Sequence, residues 1–285
     1  MAIFLRLLSH LPLPALHGLS ALVSSFAYYV IKLRLRVVRE NMTNAFPELD
    51  TAEINQLSRD FYRHYGQVMA EMVRSISITE NALLQRVNFS GEEILAEYLK
   101  EGRPVLATAA HQCNIEWLLL ACSAKFACPF EAVYRPLSDS HLERLTYETH
   151  RRFGGTPIND RAVIKEIMAR RNEPRIIAIV PDQSPNIGDD KLWTTFLNQQ
   201  TAFFIAPEVI AKFTKFPVVF LSMRRTGLGR YQVTIEKLAE PPYSNDHTIT
   251  ERYVKRVERQ IREDPSNWLW AHKRWKHKRP LYDGA

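Results

Sequence analysis

Apolar and polar positions alternate with two different periods along this chain, and the change of period divides it. Residues 1–31 are almost uniformly apolar: Arg6 is the only formal charge, and LPLPALHGLSALVSSFAYYVI (residues 11–31) carries none with His17 neutral. That run is long enough to cross a bilayer as a helix, although Pro12, Pro14, Gly18 and the serines interrupt it. Lys32, Arg34, Arg36 and Arg39 follow at once, and no clear small-x-small cleavage site is present. The pattern therefore predicts an N-terminal membrane anchor rather than a signal peptide, with the downstream chain on the cytoplasmic side. Tyr28 and Tyr29 fall where an interfacial aromatic belt would lie, and a buried or monotopic helix is the alternative reading.

Residues 32–90 have a helical period. Pro47 interrupts it within NAFPELD, and Asp50 or Thr51 is placed to cap a helix with Glu53 near its start. Phe61, Tyr62, Tyr65, Val68, Met69, Met72 and Val73 recur at helical spacing and predict a core stripe. From residue 91 strands and helices alternate. A short helix (91–100) and the turn at residues 101–104 lead into VLATAAHQCNIEWLLL (105–120), read as strand, loop and helix. Strands are expected at 130–134, 175–180, 218–223 and 229–237, helices at 141–152, 161–171, 201–213 and 250–262, and a turn at 153–157. RIIAIV (175–180) is apolar throughout, as a strand buried on both faces requires. The alternation predicts an α/β fold, a mostly parallel sheet covered by helices. The expected divisions are a membrane anchor helix (1–31), a helical segment packing on the main domain (32–90) and an α/β domain (91–285).

Composition narrows the partners without choosing among them. The 285 residues suffice for a full core, and 38 Lys and Arg against 31 Asp and Glu give a net charge of +7. That balance favours acidic partners: phospholipid, nucleic acid or an acidic carrier protein. Cys113, Cys122 and Cys128 sit in one short segment without CxxC spacing, which argues against a disulfide framework or a zinc site and for a reducing compartment. Cys113 reads as a small buried filler in preference to a nucleophile activated by His111.

The chemistry centres on His111 and Glu116. In an unbroken helix a five-residue offset puts two side chains about 140° apart, so only a bent junction brings them together. With His111 in the loop and Glu116 in the first helical turn, the carboxylate can hold one ring nitrogen. The other then carries the lone pair of a base able to deprotonate a hydroxyl attacking an acyl carbon. A structural histidine beside a glutamate that complements the helix dipole is the plainer alternative. Arg135 and Asp182 also follow strands directly, so all three polar groups converge on the carboxyl edge of the sheet, where ligands bind in such folds. Arg135 suits phosphate or an oxyanion, or else a structural ion pair; Asp182 is expected to fix Arg135 or cap the loop after it. The tail HKRWKHKR (272–279), with Trp268, Trp270 and Trp275 at an interface, is expected to contact anionic lipid or an acidic carrier. Nucleic-acid binding by stacking on the tryptophans, or a solvated basic face over core tryptophans, are the alternatives.

Several blocks occur in a fixed order: Arg39-Glu40-Asn41 with Asn44, Phe46 and Pro47; His111 with Glu116; Tyr134-Arg135-Pro136; Asp182-Gln183; residues 196–202; and PSNWLWAHKRWK (265–276). On these the chain resembles, over nearly its whole length, the bacterial lipid A late acyltransferases, the lauroyl and myristoyl transferases. These lie within the glycerolipid acyltransferase-like superfamily, with its His-x4-Asp/Glu signature. The resemblance implies acyl transfer from acyl-acyl carrier protein, or acyl-CoA, to a hydroxyl of a lipid A precursor or related lipid at the bacterial inner membrane. It assigns His111 as base and Glu116 as the acid that orients it, with Arg135, Asp182, Asn114 and Gln183 as substrate-binding residues. Expulsion of a thiolate demands no metal and no cofactor, and no nucleic-acid partner is implied. Two departures stand out. The family's His-x-Gly-Asn-Trp-Glu reads here with Cys113 for glycine and Ile115 for tryptophan, and Asn198 and Gln199 replace a usual glycine. A lipid hydrolase lacks its Gly-x-Ser-x-Gly nucleophile elbow here. A basic membrane- or nucleic-acid-binding protein with a structural His/Glu pair is the remaining alternative.

Overall fold

The structure is a computed structural model and describes residues 1–278. Its strands are β1 (Val87–Ser90), β2 (Val105–Thr108), β3 (Phe130–Tyr134), β4 (Gly155–Asn159), β5 (Ile176–Ile179), β6 (Lys191–Phe196), β7 (Gln199–Phe204), β8 (Val218–Gly227) and β9 (Arg230–Ala239). Seven of them form one sheet in the order β1-β9-β8-β2-β5-β3-β4, and β6 and β7 pair separately as a hairpin. Strands β8, β2, β5, β3 and β4 run parallel, while β9 returns antiparallel to β8 and carries β1 parallel to itself. Strand β2 lies between β8 and β5, and all four of its residues are buried, which accounts for its apolar run from Val105 to Ala107; the Thr108 hydroxyl donates to the Val219 carbonyl.

The helices are α1 (Ala2–Ser9), α2 (Leu13–Phe26), α3 (Leu35–Ala45), α4 (Thr51–Ser75), α5 (Glu80–Leu84), α6 (Glu92–Lys100), α7 (Ile115–Lys125), α8 (Ser140–His150), α9 (Val163–Ala169), α10 (Ala206–Thr214) and α11 (Thr248–Glu263). The α/β class is as read from the alternation of periods, and Asp50 caps α4 in a full capping box with Glu53. Other elements differ. The expected turn at 153–157 delivers the chain into β4, and β1 lies within the stretch read as helical. The helix expected at 201–213 begins only at Ala206, because residues up to Phe204 pair with β6; Pro207 thereby sits in the first helical turn, where it removes no helix hydrogen bond. The β6–β7 turn holds Leu197 and Asn198 at φ 48° and 62°, so asparagine occupies a left-handed position that glycine also suits.

Residues 1–31 are not a single helix. The chain breaks at residues 10–12 before Pro12 and Pro14 start α2, and a π-helical turn over Ala27–Ile31 ends at Lys32 with φ 55°. Leu13–Ile31 remains long and apolar enough to cross a membrane by length and composition. Yet α2 lies along α4 with His17, Ser20 and Ser24 buried beside Leu13 and Leu16, whereas Leu19, Leu22, Val23 and Phe26 are exposed together with Ser25. Gly66 of α4 permits this approach, since a Cβ there would stand 2.8 Å from Ser24 Cβ. His17 Nε2 meets Glu71 Oε1 at 3.1 Å, and the fully buried Glu71 also accepts hydrogen bonds from Asn114 Nδ2 (2.9 Å) and Tyr231 Oη (2.5 Å). One carboxylate thus joins α2, α4, the start of α7 and β9.

The C-terminal segment closes over the carboxyl edge of the sheet. Trp268 and Trp270 are buried against Phe46, Phe196 and each other, Trp275 stacks on Phe196, and Arg274 is buried above the Phe203 ring. Of the tryptophans expected at an interface, Trp268 and Trp270 are therefore core and Trp275 packs half-buried against them, and among the described residues only Lys273, Lys276 and Lys278 of the tail's cations are exposed. The reason is aromatic area, which is worth more buried against the sheet than in water. Arg279 lies outside the described residues. His272 Nε2 accepts from the Ser184 N–H (3.2 Å), and His64 Nδ1 meets Ser266 Oγ (3.0 Å).

Two predictions follow from this packing. Burial first, then Arg225 and Arg63 for His64 and Arg274 for His272, lower both imidazoles from 6.5 to about 4. Between those values the unfolded state binds protons that the folded state refuses, so stability declines as pH falls from about 6.5 to about 4. Thermal melts of the His64→Gln/His272→Gln double variant should show a shallower decline over that window; an unchanged slope would remove these rings from the account. Gly66→Val should lower stability by about 1–3 kcal/mol in a denaturant titration, through overpacking against Ser24. Gly18, with open space where its Cβ would go, should accept alanine with no loss in the same denaturant titration.

Candidate active site

Strand register builds the centre of the site. Thr108 of β2 lies opposite Ile179 of β5, and each strand continues three residues to a polar side chain, His111 and Asp182. Neighbouring parallel strands run about 4.8 Å apart, so equal extensions bring these two together. His111 Nδ1 lies 2.5 Å from Asp182 Oδ1, and the His111 backbone N–H donates to Asp182 Oδ2 at 2.9 Å. Trp268 Nε1 donates to the same Oδ2 at 2.8 Å. Burial raises the Asp182 carboxyl, but the His111 charge and the hydrogen bonds from His111 and Trp268 outweigh it and hold the group below its usual value. Arg274, itself pulled down to about 10 by burial, supplies positive charge nearby.

A carboxylate at Nδ1 fixes the proton there and leaves the lone pair on Nε2. Gln183 Nε2 stands 3.2 Å from that atom and is the donor to it. No hydrogen bond or ion pair joins Arg135 to Asp182 or Gln183. The guanidinium of Arg135 is exposed at the same sheet edge, with Nε bonded to Asp160 Oδ2 at 2.9 Å. The expectation that Asp182 would fix Arg135 is thus replaced: Asp182 is fully occupied by His111 and Trp268.

Glu116 does not orient His111. Its Oε2 is 3.0 Å from His150 Nε2 at the end of α8, and its Oε1 is buried without a hydrogen-bond partner. The bent junction is present, but α7 starts at Ile115 and turns Glu116 toward α8, while Asp182 already holds the ring nitrogen that Glu116 was expected to take. Asn114 caps α7 through its Oδ1 and the Trp117 N–H (2.9 Å) and gives its amide to Glu71, so its side chain is buried and fully used within the protein. Cys113, where the resembling family has glycine, takes φ 60°. Its buried thiol is pushed well above its usual range by desolvation, in keeping with a filler.

His111 and Glu116 open on one cavity of about 260 Å³. Phe61, Tyr65, Val68, Met69 and Met72 of α4 form one wall, so most of the expected core stripe instead faces a void beside the imidazole. A second cavity of about 540 Å³ runs under α2 and shares Phe61, Tyr65, Met69 and Leu269 with the first. Sequence reasoning missed this wall, because a stripe facing core and one facing a cavity have the same period. It also missed His150 and the bond from Trp268 to Asp182. The one available signal for the latter was a carboxylate directly after a wholly apolar strand, which must find buried donors.

Such a site, a base with a fixed tautomer at the mouth of an apolar cavity, suits chemistry on a long-chain lipid. Comparison with known proteins points the same way. The sequence model of the bacterial lipid A biosynthesis acyltransferases matches residues 1–277. The lipid A biosynthesis lauroyltransferase of Escherichia coli K12 is 22% identical over 274 residues, 95% of this chain and 89% of that protein. The palmitoleoyltransferase of the same organism and a lipid A biosynthesis acyltransferase of Shigella flexneri are each 21% identical over 269 residues, 93% of this chain and 86% of theirs. With a match that runs from its first residue past the tryptophan-rich closing block, the chain belongs to the bacterial lipid A biosynthesis acyltransferase family.

Proposed function

We propose that this acyltransferase moves a fatty acyl chain from an acyl-acyl carrier protein or acyl-CoA thioester to a hydroxyl of a lipid A precursor, with His111 as general base and Asp182 as the group that orients it. The observation that carries this reading is the His111–Asp182 pair at the apolar cavity. The acceptor hydroxyl takes the place of the Gln183 amide at Nε2 and gives up its proton as its oxygen bonds to the acyl carbon. Collapse of the tetrahedral intermediate breaks the C–S bond, and the proton on Nε2 passes to the departing thiolate. Asp182 meets the charge that the ring carries in between. The N–H groups of Ile115 and Glu116 open α7 and have no acceptor within the helix, which suits them to the developing oxyanion.

The remaining residues take supporting roles in this reading. The acyl chain occupies the cavity walled by α4. Arg135 keeps its Nη nitrogens free among the described residues for an acceptor phosphate. Glu116, held by His150 through one oxygen, offers the other to a hydrogen-bond donor of the acceptor. The N-terminal helices attach the protein to the cytoplasmic face of the inner membrane by lying in its surface. The support is the largely apolar outer face of α2, with His17, Ser20 and Ser24 turned inward, and its docking along α4: to span the bilayer, α2 would have to carry α4 with it.

His111→Ala and Asp182→Asn should each lower kcat by ~10²–10⁴-fold, in assays with an acyl-carrier donor on protein whose melting temperature is checked in parallel. Glu116→Gln should act mainly on the KM for the acceptor. Full turnover in Asp182→Asn together with a collapse of kcat in Glu116→Gln would return the orienting role to Glu116. For the membrane, cysteines introduced at Ala2 and at Lys32 should react with an impermeant maleimide from the same side of sealed inverted vesicles. Labelling from opposite sides would mean that the segment spans.

A further inference from the structure

The carboxyl edge of the sheet carries a second, polar cleft of about 600 Å³. It lies off the end of β8, on the side of His111 away from Asp182: Phe220 of β8 is level with Thr108 of β2, and the strand runs on to Arg224 and Arg225. His64 and Asn267 line both this cleft and the apolar cavity at His111, so a molecule reacting at His111 can reach across.

Arg225 is built in. Its Nη1 donates to Gln67 Oε1 at 2.7 Å, its Nε donates to Asn267 Oδ1 at 3.2 Å, and its guanidinium lies 5.4 Å from the Tyr231 ring centre. Its Nη2 is buried without a hydrogen-bond partner. Among the described residues no carboxylate lies within ion-pair distance of Arg225 or of its exposed neighbour Arg224. The acids of the cleft are already engaged: Asp264 accepts from Asn267 Nδ2 at 2.8 and 2.9 Å, and Glu263 from Arg259 Nε at 2.8 Å. The Arg225 charge is one reason, after burial, that the His64 ring is hard to protonate, with Asp264 and Asp60 acting in the opposite direction. A buried guanidinium donor left unmade is costly, and a fork of N–H groups is shaped for an oxyanion.

We propose that this cleft binds a phosphate group, with Arg225 as the fork and Arg224 adding charge, so that phosphates are held on both flanks of His111, here and at Arg135. The choice of phosphate rests on the acyl-transfer reading, in which a phosphopantetheine thioester and a sugar phosphate are the two sources; the anion site itself does not.

The test reads binding. Full-length protein in detergent, labelled with [13Cε1]histidine, is titrated with inorganic phosphate against sodium chloride at matched ionic strength. The His64 signal, identified by its loss in His64→Gln, should move with phosphate, saturate in the millimolar range and ignore chloride. Its midpoint should rise at least tenfold in Arg225→Gln, with partial recovery in Arg225→Lys, and severalfold in Arg224→Gln, which leaves the packed guanidinium in place. A His64 signal that phosphate leaves unmoved, or that responds alike in wild type and Arg224→Gln and Arg225→Lys, overturns the site. Pantetheine 4′-phosphate saturating at tenfold lower concentration than N-acetylglucosamine 1-phosphate assigns the cleft to the donor, and the reverse order to the acceptor. Phosphate binding in a protein without transfer activity would sink the acyl-transfer reading alone; transfer without phosphate binding would sink this one alone.

Discussion

A buried carboxylate must be surrounded by donors or lose its charge, and the Asp182 carboxylate imposes that requirement on two separate parts of the chain. It takes the backbone and ring of His111 from the end of β2 and the indole of Trp268 from the C-terminal segment, with Arg274 of that segment nearby. Each partner is in turn fixed. The Leu269 N–H donates to the His111 carbonyl, the Cys113 N–H to the Asn267 carbonyl, and Tyr253 Oη to the Ala109 carbonyl. Removing one donor would leave part of a charge unpaired in a dry interior, at a cost of several kcal/mol. The imidazole therefore has one position and one tautomer before any substrate arrives.

Glu71 does for the N-terminal half what Asp182 does for the sheet edge. Its bonds to His17, Asn114 and Tyr231 seat α2 against α4 and place the cap of α7, the helix that follows the His111 loop. The face of α2 left outside is apolar but for Ser25, because His17, Ser20 and Ser24 are consumed inside. A soluble helix would show the opposite distribution. The apolar surface is thus bound mechanically to the His111 loop through one carboxylate, in a space of three helices and a strand.

Much of this was legible in the sequence. Strand β2, the helix after Glu116, the Asp50 cap and the closing tryptophan block all declare themselves by period, capping chemistry or spacing, and the family follows from the blocks in order. Which acid meets His111 was not legible, for a definite reason: sequence distance favours Glu116, five residues away, whereas the contact with Asp182, 71 residues away, depends on the register of β2 against β5. Register is set by packing of whole faces and leaves no local mark. The α4 stripe misleads in the same way, since an apolar wall around a cavity and an apolar seam in a core are built from the same residues at the same spacing.

Cys113 shows how little the loop depends on its own residue types. The family's glycine at this point would hold φ 60° without strain, and cysteine holds it at a cost of roughly 1–3 kcal/mol. What compensates lies outside the loop: the Cys113 N–H is held by Asn267, its thiol reaches the Met223 carbonyl at 3.5 Å, and the side chain is enclosed in the main core. Gln112 donates to the Gln260 and Asp264 carbonyls at 3.2 and 3.1 Å, so the residue before Cys113 is pinned as well. The curve of the chain from His111 to α7 is therefore imposed by the C-terminal segment and by α11, and glycine's freedom is dispensable once those contacts exist. The closing block is thus the mould in which the His111 loop is set.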